Sequence, residues 1–334
     1  ETLAYLLESE TGEIADGWPA SLYGLTVETL PIVGRGVVSN PIMADLDYDG
    51  TLELSFDTIS SPGVLLNHDG TQYRKMDNKD YGPLSDSQDS PAYILHNHGA
   101  MGNIDGKGGI DLVKGTAGFD FAIAFAGGGE RKPFDHHMSG WDTDTGKMME
   151  GFPRVHDDWQ FFNTPTIVDI NNDNKPEVII GSGGYLVRAW NYLGEEPPGW
   201  PKQTGGWIIA SAGVGDFDGD GHVDLYVTCH GPNVLLRNLG DGTFQDVTDH
   251  AGVAGNEWST PAAFGDLDAD GDADIVLVNG TWWPGHEFSV HTSCSHQVRG
   301  FEIEGPAAAI AYADALADRL LRDEADSILL DAME

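Results

Sequence analysis

Cysteine is nearly absent. Cys229 and Cys294 are the two in 334 residues, too few for a disulfide framework, and they can form one bond in an oxidising compartment or remain two buried thiols. Basic residues are scarce as well: 17 Lys and Arg against 54 Asp and Glu give a formal charge of −37. A surface of that sign repels phosphate backbones and anionic lipid, so nucleic acid is not expected as a partner. No apolar run approaches the roughly 20 residues that cross a bilayer, so membrane insertion is not expected either. The chain opens at Glu1 without a basic-then-apolar leader, and the expectation is that any secretion signal was removed or lies outside it. Signatures of nucleophilic or phosphate chemistry are missing too: there is no G-x-S-x-G, no P-loop and no H-E-x-x-H. Carboxylates are so many that no pair of them singles itself out as an acid–base couple.

What is present is enough apolar material for a core, 40% of the residues, in a length that suits one large domain or two ordinary ones. The acid excess has two readings that are compatible. Much of it ligates metal, or the protein lives in high salt, where self-repulsion is screened.

Glycine is plentiful, with 44 residues, and the acids recur with a period. "DLDYDGTLEL" starts at Asp45, "NIDGKGGIDLV" at Asn103, "DINNDNKPEVII" at Asp169, "DFDGDGHVDLYV" at Asp216 and "DLDADGDADIVLV" at Asp266. Each follows a small or apolar stretch and precedes a β-rich run. A second motif, Gly17-Trp18-Pro19, Gly151-Phe152-Pro153 and Gly199-Trp200-Pro201, falls ahead of the first, third and fourth copies, behind stretches that read as hairpins. The unit is therefore strand, acidic loop, strand, turn, strand, turn, strand in about 50 to 65 residues, the length of a four-stranded propeller blade. The N-terminal stretch reads as the last two strands of a blade and the fifth copy as the first two strands of one. Joining them closes the ring and leaves no open edge.

Within each loop the spacing puts oxygen at places 1, 3, 5 and 9, with a backbone carbonyl at place 7. The sets are Asp45, Asp47, Asp49, Thr51 and Glu53; Asp169, Asn171, Asp173, Lys175 and Glu177; Asp216, Asp218, Asp220, His222 and Asp224; and Asp266, Asp268, Asp270, Asp272 and Asp274. The second loop keeps Asn103, Asp105 and Asp111 but carries Lys107 at place 5, where an ammonium can replace an ion. All-oxygen ligation in an irregular loop suits a hard cation, Ca²⁺ ahead of Mg²⁺, with about four to five ions expected. The layout is half of an EF-hand loop without its closing glutamate, Val227 standing at place 12. Ions placed between strands in every blade point to a structural role rather than signalling. Plain Asp-Gly turns are the alternative for any one copy.

The pattern D-x-D-x-D-G-x-x-D-[LIV] after a small, proline- or alanine-containing run resembles the FG-GAP or VCBS repeats of integrin α-chain-like β-propellers. "NTPTIVDINNDNKPEVIIGSGGYLVRAWNYLGEEPPGWP" is similar to secreted bacterial and archaeal members, and "LLRNLGDGTFQDVTDHAGV" resembles repeats found beside UnbV-type domains. The resemblance covers residues 1–285. It implies calcium on one rim, a secreted, cell-surface or periplasmic setting, and roles in adhesion, carbohydrate binding or scaffolding. The chain departs from the family at Lys107 and in having five legible repeats.

Other groupings stand outside the repeat. His286, His291, Cys294 and His296 crowd "GHEFSVHTSCSH", with ligand types for a zinc or copper loop site or simply a solvated histidine-rich loop. His96 and His98 precede the second loop, and His136 and His137 precede the Trp141 hairpin. Trp282 and Trp283, with Trp207 and Trp258, are candidates to stack on sugar rings, whereas Trp18, Trp190 and Trp200 recur within the unit and are expected to pack between blades. From Pro306 the sequence turns alanine-rich with an apolar stripe at helical spacing, an amphipathic helix able to dock on this chain, a second copy or a partner.

The sequence thus predicts an all-β chain, a β-propeller of four-stranded blades, over 1–290, a linker over 291–305 and a helical segment over 306–334. The expected function is an extracellular, calcium-stabilised module that binds a protein or glycan or serves as a scaffold. A carbohydrate-active enzyme such as a polysaccharide lyase on the same frame, or a purely structural subunit of an extracellular assembly, is the alternative.

Overall fold

The computed structural model describes residues 2–22, 40–56, 64–76, 94–118, 136–158, 160, 163–255, 259–265, 274–279 and 289–293. These form two compact units, Glu1–Gln203 with Trp207–Ser211, and Thr204–Gly206 with Ala212–Glu334.

The first unit begins with β1 (Thr2–Ala4) and β2 (Ala20–Leu22), an antiparallel pair. A four-stranded sheet follows in sequence order, β3 (Ile42–Ala44), β4 (Glu53–Phe56), β5 (Val64–Leu66) and β6 (Gln72–Lys75). Next come β7 (Ile94–Gly102), β8 (Asp111–Gly118), β9 (His136–Asp142), β10 (Lys147–Met148) and β11 (Arg154–His156). Both β10 and β11 pair with β9, which makes this sheet five-stranded. A further sheet of four joins β12 (Thr166–Val168), β13 (Glu177–Gly181), β14 (Leu186–Trp190) and β15 (Lys202–Gln203).

The second unit has the same plan. Strands β16 (Gly213–Gly215), β17 (Asp224–Val227), β18 (Val234–Asn238) and β19 (Phe244–Asp246) make a four-stranded meander. One helical turn, α1 (Thr248–Ala251), is stopped by Gly252 in the left-handed region at φ 68°. It is the helix found among the described residues. β20 (Ser259–Gly265), β21 (Asp274–Asn279) and β22 (Ser289–Ser293) form the last sheet. The chain is nearly all β and built from antiparallel blade-like sheets, as the repeat predicts.

Why these runs become strands is clear from their burial. The second strand of a sheet follows the acidic loop and is covered along its whole length in β4, β13 and β17. Apart from the place-9 acid and Ser55, these covered strands are apolar. In the first unit Trp18, Ala20 and Leu22 pack on Leu54, Phe56 and Leu66. The other face of that sheet gives Leu46, Leu65 and Met76, which pack on Leu112 and Trp141. Ile104, Val113, Met138 and Phe152 then meet Val178, Ile180 and Trp190. In the second unit Phe217, Tyr226 and Leu235 pack on Ile275 and Leu277. Sheets therefore stack in sequence order within each unit, each covering the next.

Trp18, Trp190 and Trp200 are buried, as their place in the repeat predicts. Each Gly-aromatic-Pro turn carries a cis peptide bond before its proline. Trp18 donates from Nε1 to the His68 carbonyl at 2.9 Å. A Cβ on Gly17, at φ +87°, would run into the Asp69 carbonyl oxygen, and one on Gly151 into the backbone of Leu193. These turns plug the hairpin tips of the following four-stranded sheets in the first unit.

Two expectations need correction. The last repeat does not stop at two strands: β22 pairs with β21 in register from Ile275↔Ser293 to Asn279↔Ser289, carrying the sheet beyond residue 290. His291 therefore lies on a strand, opposite Leu277, rather than in a loop. Cys229 is a free, buried thiol, its pKa pushed up to about 11 by desolvation. Asp266, Asp268, Asp270, Asp272, Trp258, Trp282, Trp283, His286, Cys294, His296 and the helix expected over 306–334 lie outside the described residues.

Candidate metal centre

The acidic loops close one kind of hairpin. In each, the residue before place 1 pairs with place 9: Ala44↔Glu53, Gly102↔Asp111, Val168↔Glu177, Gly215↔Asp224 and Gly265↔Asp274. Places 4 and 6 are left-handed in all four loops described in full. The φ values are 60° and 92° at Tyr48 and Gly50, 73° and 98° at Gly106 and Gly108, 60° and 64° at Asn172 and Asn174, and 72° and 88° at Gly219 and Gly221. Glycine suits such positions, and asparagine tolerates them. Tyr48 is the departure. It stays exposed and donates its hydroxyl to the Gly108 carbonyl at 2.7 Å.

That winding turns the loop amides inward, onto the acids. Asp45 accepts from the backbone N–H of Asp49 and of Gly50, both at 3.0 Å. Asp216 accepts from Asp220 at 3.1 Å and Gly221 at 2.9 Å, and Asp169 from Asp173 at 3.2 Å and Asn174 at 2.7 Å. The place-9 carboxylate always accepts from the N–H of place 2: Glu53 from Leu46 at 2.8 Å, Asp111 from Ile104 at 2.9 Å, Glu177 from Ile170 at 3.1 Å and Asp224 from Phe217 at 2.9 Å. One carboxylate oxygen at place 9 thus fastens the loop to the second strand. The carboxylate oxygens of Asp45, Asp47 and Asp49 gather within 4.8 Å of one another, as do those of Asp216, Asp218 and Asp224.

The electrostatics follow from burial. Glu53, Asp111, Glu177 and Asp224 are each at most 5% exposed. Desolvation, with neighbouring acids adding to it, pushes Asp111 and Asp224 up to about 6 and Glu177 up to about 7, and it raises Glu53. A carboxylate held against its ordinary ionisation, beside other carboxylates, is relieved by a proton or by a cation. Oxygen donors at this density fit a hard divalent ion, and the one loop imidazole, His222, lies beside Gly240 outside the acid group.

Two loops carry a basic side chain of their own. Lys107 Nζ lies 2.7 Å from Asp105 Oδ2. In the fourth loop Arg237, on β18, forms an ion pair with Asp218 through Nε and donates from a terminal nitrogen to Asp220 at 3.0 Å. Arg237 was not legible as a site residue, because it follows the loop by a whole hairpin and reaches it only through the β17–β18 register. Lys175, at place 7 of the third loop, turns away. Its Nζ sits 4.6 Å from the centre of the Tyr192 ring and packs its stem over Gly106. Tyr48 on Gly108 and Lys175 on Gly106 place the first three loops along one edge of the first unit.

The remaining candidates scatter. His136 and His137 are buried on β9, and His98 is half-buried on β7. His96 and His291 are placed by their backbone alone, on β7 and β22. Trp207 is exposed. Among the described residues the only groups of three or more His, Cys, Asp or Glu close enough to share an ion are the two acidic ones.

The chain is similar to several known proteins. Residues 169–227 and 216–277 match the FG-GAP-like repeat. Cartilage acidic protein 1 of Homo sapiens is 24% identical over 293 residues, which cover 79% of this chain and 42% of that protein. The Xenopus tropicalis protein of the same name is 34% identical over 103 residues, covering 30% of this chain and 15% of that protein. Among solved structures, Saccharomyces cerevisiae Sqt1 superposes with a TM-score of 0.49 at 11% identity, over 83% of this chain and 63% of that one. The chain spans less than half the length of the curated relatives it matches. No described helix is long and apolar enough to cross a membrane.

Proposed function

We propose that this chain, a carrier of FG-GAP-like repeats, is an extracellular binding or scaffold module of the β-propeller class whose acidic loops take up calcium. The observation that carries the reading is the common loop register. Hairpins far apart in sequence bring place-9 carboxylates to the same buried position and wind the same left-handed places around them. Chance Asp-Gly turns have no reason to share a register, a buried acid and an inward-facing amide set.

Calcium supplies the charge that relieves the buried acids; the chain's residues supply the cradle. Asp45, Asp47, Asp49 and Glu53 in the first loop, and Asp169, Asn171, Asp173 and Glu177 in the third, are the residues that would hold it. Exposed loops with few ligands and many competing amide contacts suit the weak affinities of extracellular modules, about 10⁻⁴ to 10⁻³ M, which are met where calcium is abundant. Bound there, an ion would fasten the loop to the strand that follows it, which the place-9 carboxylate already ties to the place-2 amide. An external protein or glycan fits a surface repelled by nucleic acid, and the resemblance to cartilage acidic protein 1 supports that class of role.

The test is a calcium titration of the full chain by calorimetry, with terbium luminescence as a second readout. Wild type is expected to bind several ions, and Asp45→Asn to bind about one fewer with the rest unchanged. An equal ion count in the two proteins would remove the first loop from the set, and no binding to wild type at millimolar calcium would end the calcium reading.

A further inference from the structure

The four fully described loops differ in one respect that their acids do not show. In the second and fourth, a basic side chain forms an ion pair with the place-3 carboxylate: Lys107 with Asp105 and Arg237 with Asp218. In the first and third, no such ion pair reaches Asp45, Asp47, Asp49 and Glu53, or Asp169, Asp173 and Glu177, among the described residues. Lys175, which stands closest in sequence to the third set, is held over Tyr192 instead.

We propose that Lys107 and Arg237 are tethered cations that stand in for a divalent ion, so that the second and fourth loops close without metal while the first and third depend on it. This rests on the calcium reading above and adds to it a division of labour among loops of one repeat. The geometry of Arg237 supports the substitution. Its guanidinium spans Asp218 and Asp220 together, places 3 and 5, the acids that a divalent ion would draw together. Those same acids keep their Oδ1 atoms for the loop amides, Asp218 for Asp220 N–H at 3.2 Å and Asp220 for His222 N–H at 2.9 Å. The planar fork of arginine matches that demand, and it is charged at every working pH. Asp218 is almost wholly covered, its side chain 4% exposed, so the pair is shielded from solvent on the acid side. Lys107 is 79% exposed and stands on the ligand position itself, where the other loops have Asp49, Asp173 and Asp220.

A tethered cation and a free one compete for the same carboxylates, and the competition is reciprocal. Removing the tether leaves the loop more dependent on the ion. In Arg237→Gln, the rise in melting temperature between chelator and saturating calcium is expected to exceed the wild-type rise by about 5 °C. Arg237→Lys, which keeps the charge, is expected to stay near wild type. Lys107→Asp removes the tether and supplies the missing acid at an exposed position that the fold does not rely on. It is expected to bind about one more terbium or calcium ion per chain. An R237Q rise equal to that of wild type, together with an unchanged ion count in K107D, overturns the proposal while the calcium reading stands. A wild-type chain that does not respond to calcium at all overturns both.

Discussion

Chelation at pH 7.5 is expected to lower the melting temperature of the full chain by about 10 °C or more, and the loss is expected to shrink as the pH falls toward 5. A site filled at a hundred times its dissociation constant contributes about 2.7 kcal/mol. Two such sites in a unit of 100 to 200 residues move its melting point by about 10 to 20 °C. The pH dependence comes from the place-9 acids. Asp111 and Asp224 are raised to about 6 and Glu177 to about 7 by burial, against about 4 for a carboxylate in the unfolded chain. A group whose folded pKa is raised favours the folded state while it is protonated in both states, and that contribution is lost as the pH climbs from about 4 through 7. Metal-free protein is therefore expected to be more stable at pH 5 than at pH 8, the reverse of a protein held by ionised carboxylates. In the first and third loops, where burial raises Glu53 and Glu177, a bound calcium would replace the proton above that window, so the gap between the metal-free and calcium-loaded curves is expected to widen with pH. Melting curves in chelator and in calcium from pH 5 to 8 check this. A metal-free curve that is flat or rises with pH would mean that these acids carry no strain for an ion to relieve.

The second large effect concerns the Gly-aromatic-Pro turn. Gly17→Ala is expected to destabilise the first unit by about 3 kcal/mol or more. Two causes add. A side chain at φ +87° costs about 1 kcal/mol. The new methyl would also run into the Asp69 carbonyl, and backbone does not yield as a flexible side chain does. The neighbouring Trp18 has its ring under Leu54, Phe56 and Leu66 and its N–H on the His68 carbonyl, so any shift of the turn also spoils a buried contact. Gly12→Ala is the internal control, since its φ is +71° but nothing lies within 4 Å of the new methyl. It is expected to cost about 1 kcal/mol. Denaturant unfolding of the two variants beside wild type separates the causes. Equal losses would show that the Asp69 contact does not constrain the turn.

Much of this was legible because repetition makes weak signals add. One Asp-Gly loop says little, but five copies of one spacing, four of them with an oxygen side chain at each of places 1, 3, 5 and 9, mark where the hairpins fall, and each closes in the common register. The buried tryptophans of the repeat were legible for the same reason. What escaped the sequence depends on pairing between elements. Arg237 sits in "LLRNLGDG", an ordinary third strand, and only the register of β18 against β17 carries it to Asp218. β22 was hidden by its own composition. "SVHTS" has the β-branched residues of a strand, yet its histidine drew attention to metal chemistry. The fifth strand of the β7–β11 sheet, "RVH", is too short to announce itself. Lys114 was invisible as well. It is fully buried on β8 with its ammonium on the Ser55 hydroxyl at 3.1 Å, a polar tie between sheets that no local pattern encodes.

The β1–β2 hairpin covers one face of the β3–β6 sheet, and it is short. Its own outward side already shows Leu3, Tyr5, Leu7 and Ile14, while beneath it lie Leu54, Phe56, Val64 and Leu66. A protease cut near residue 22 that let this flap go would lay bare a second greasy surface in place of the first. Trimmed molecules would then be drawn together through that uncovered apolar face.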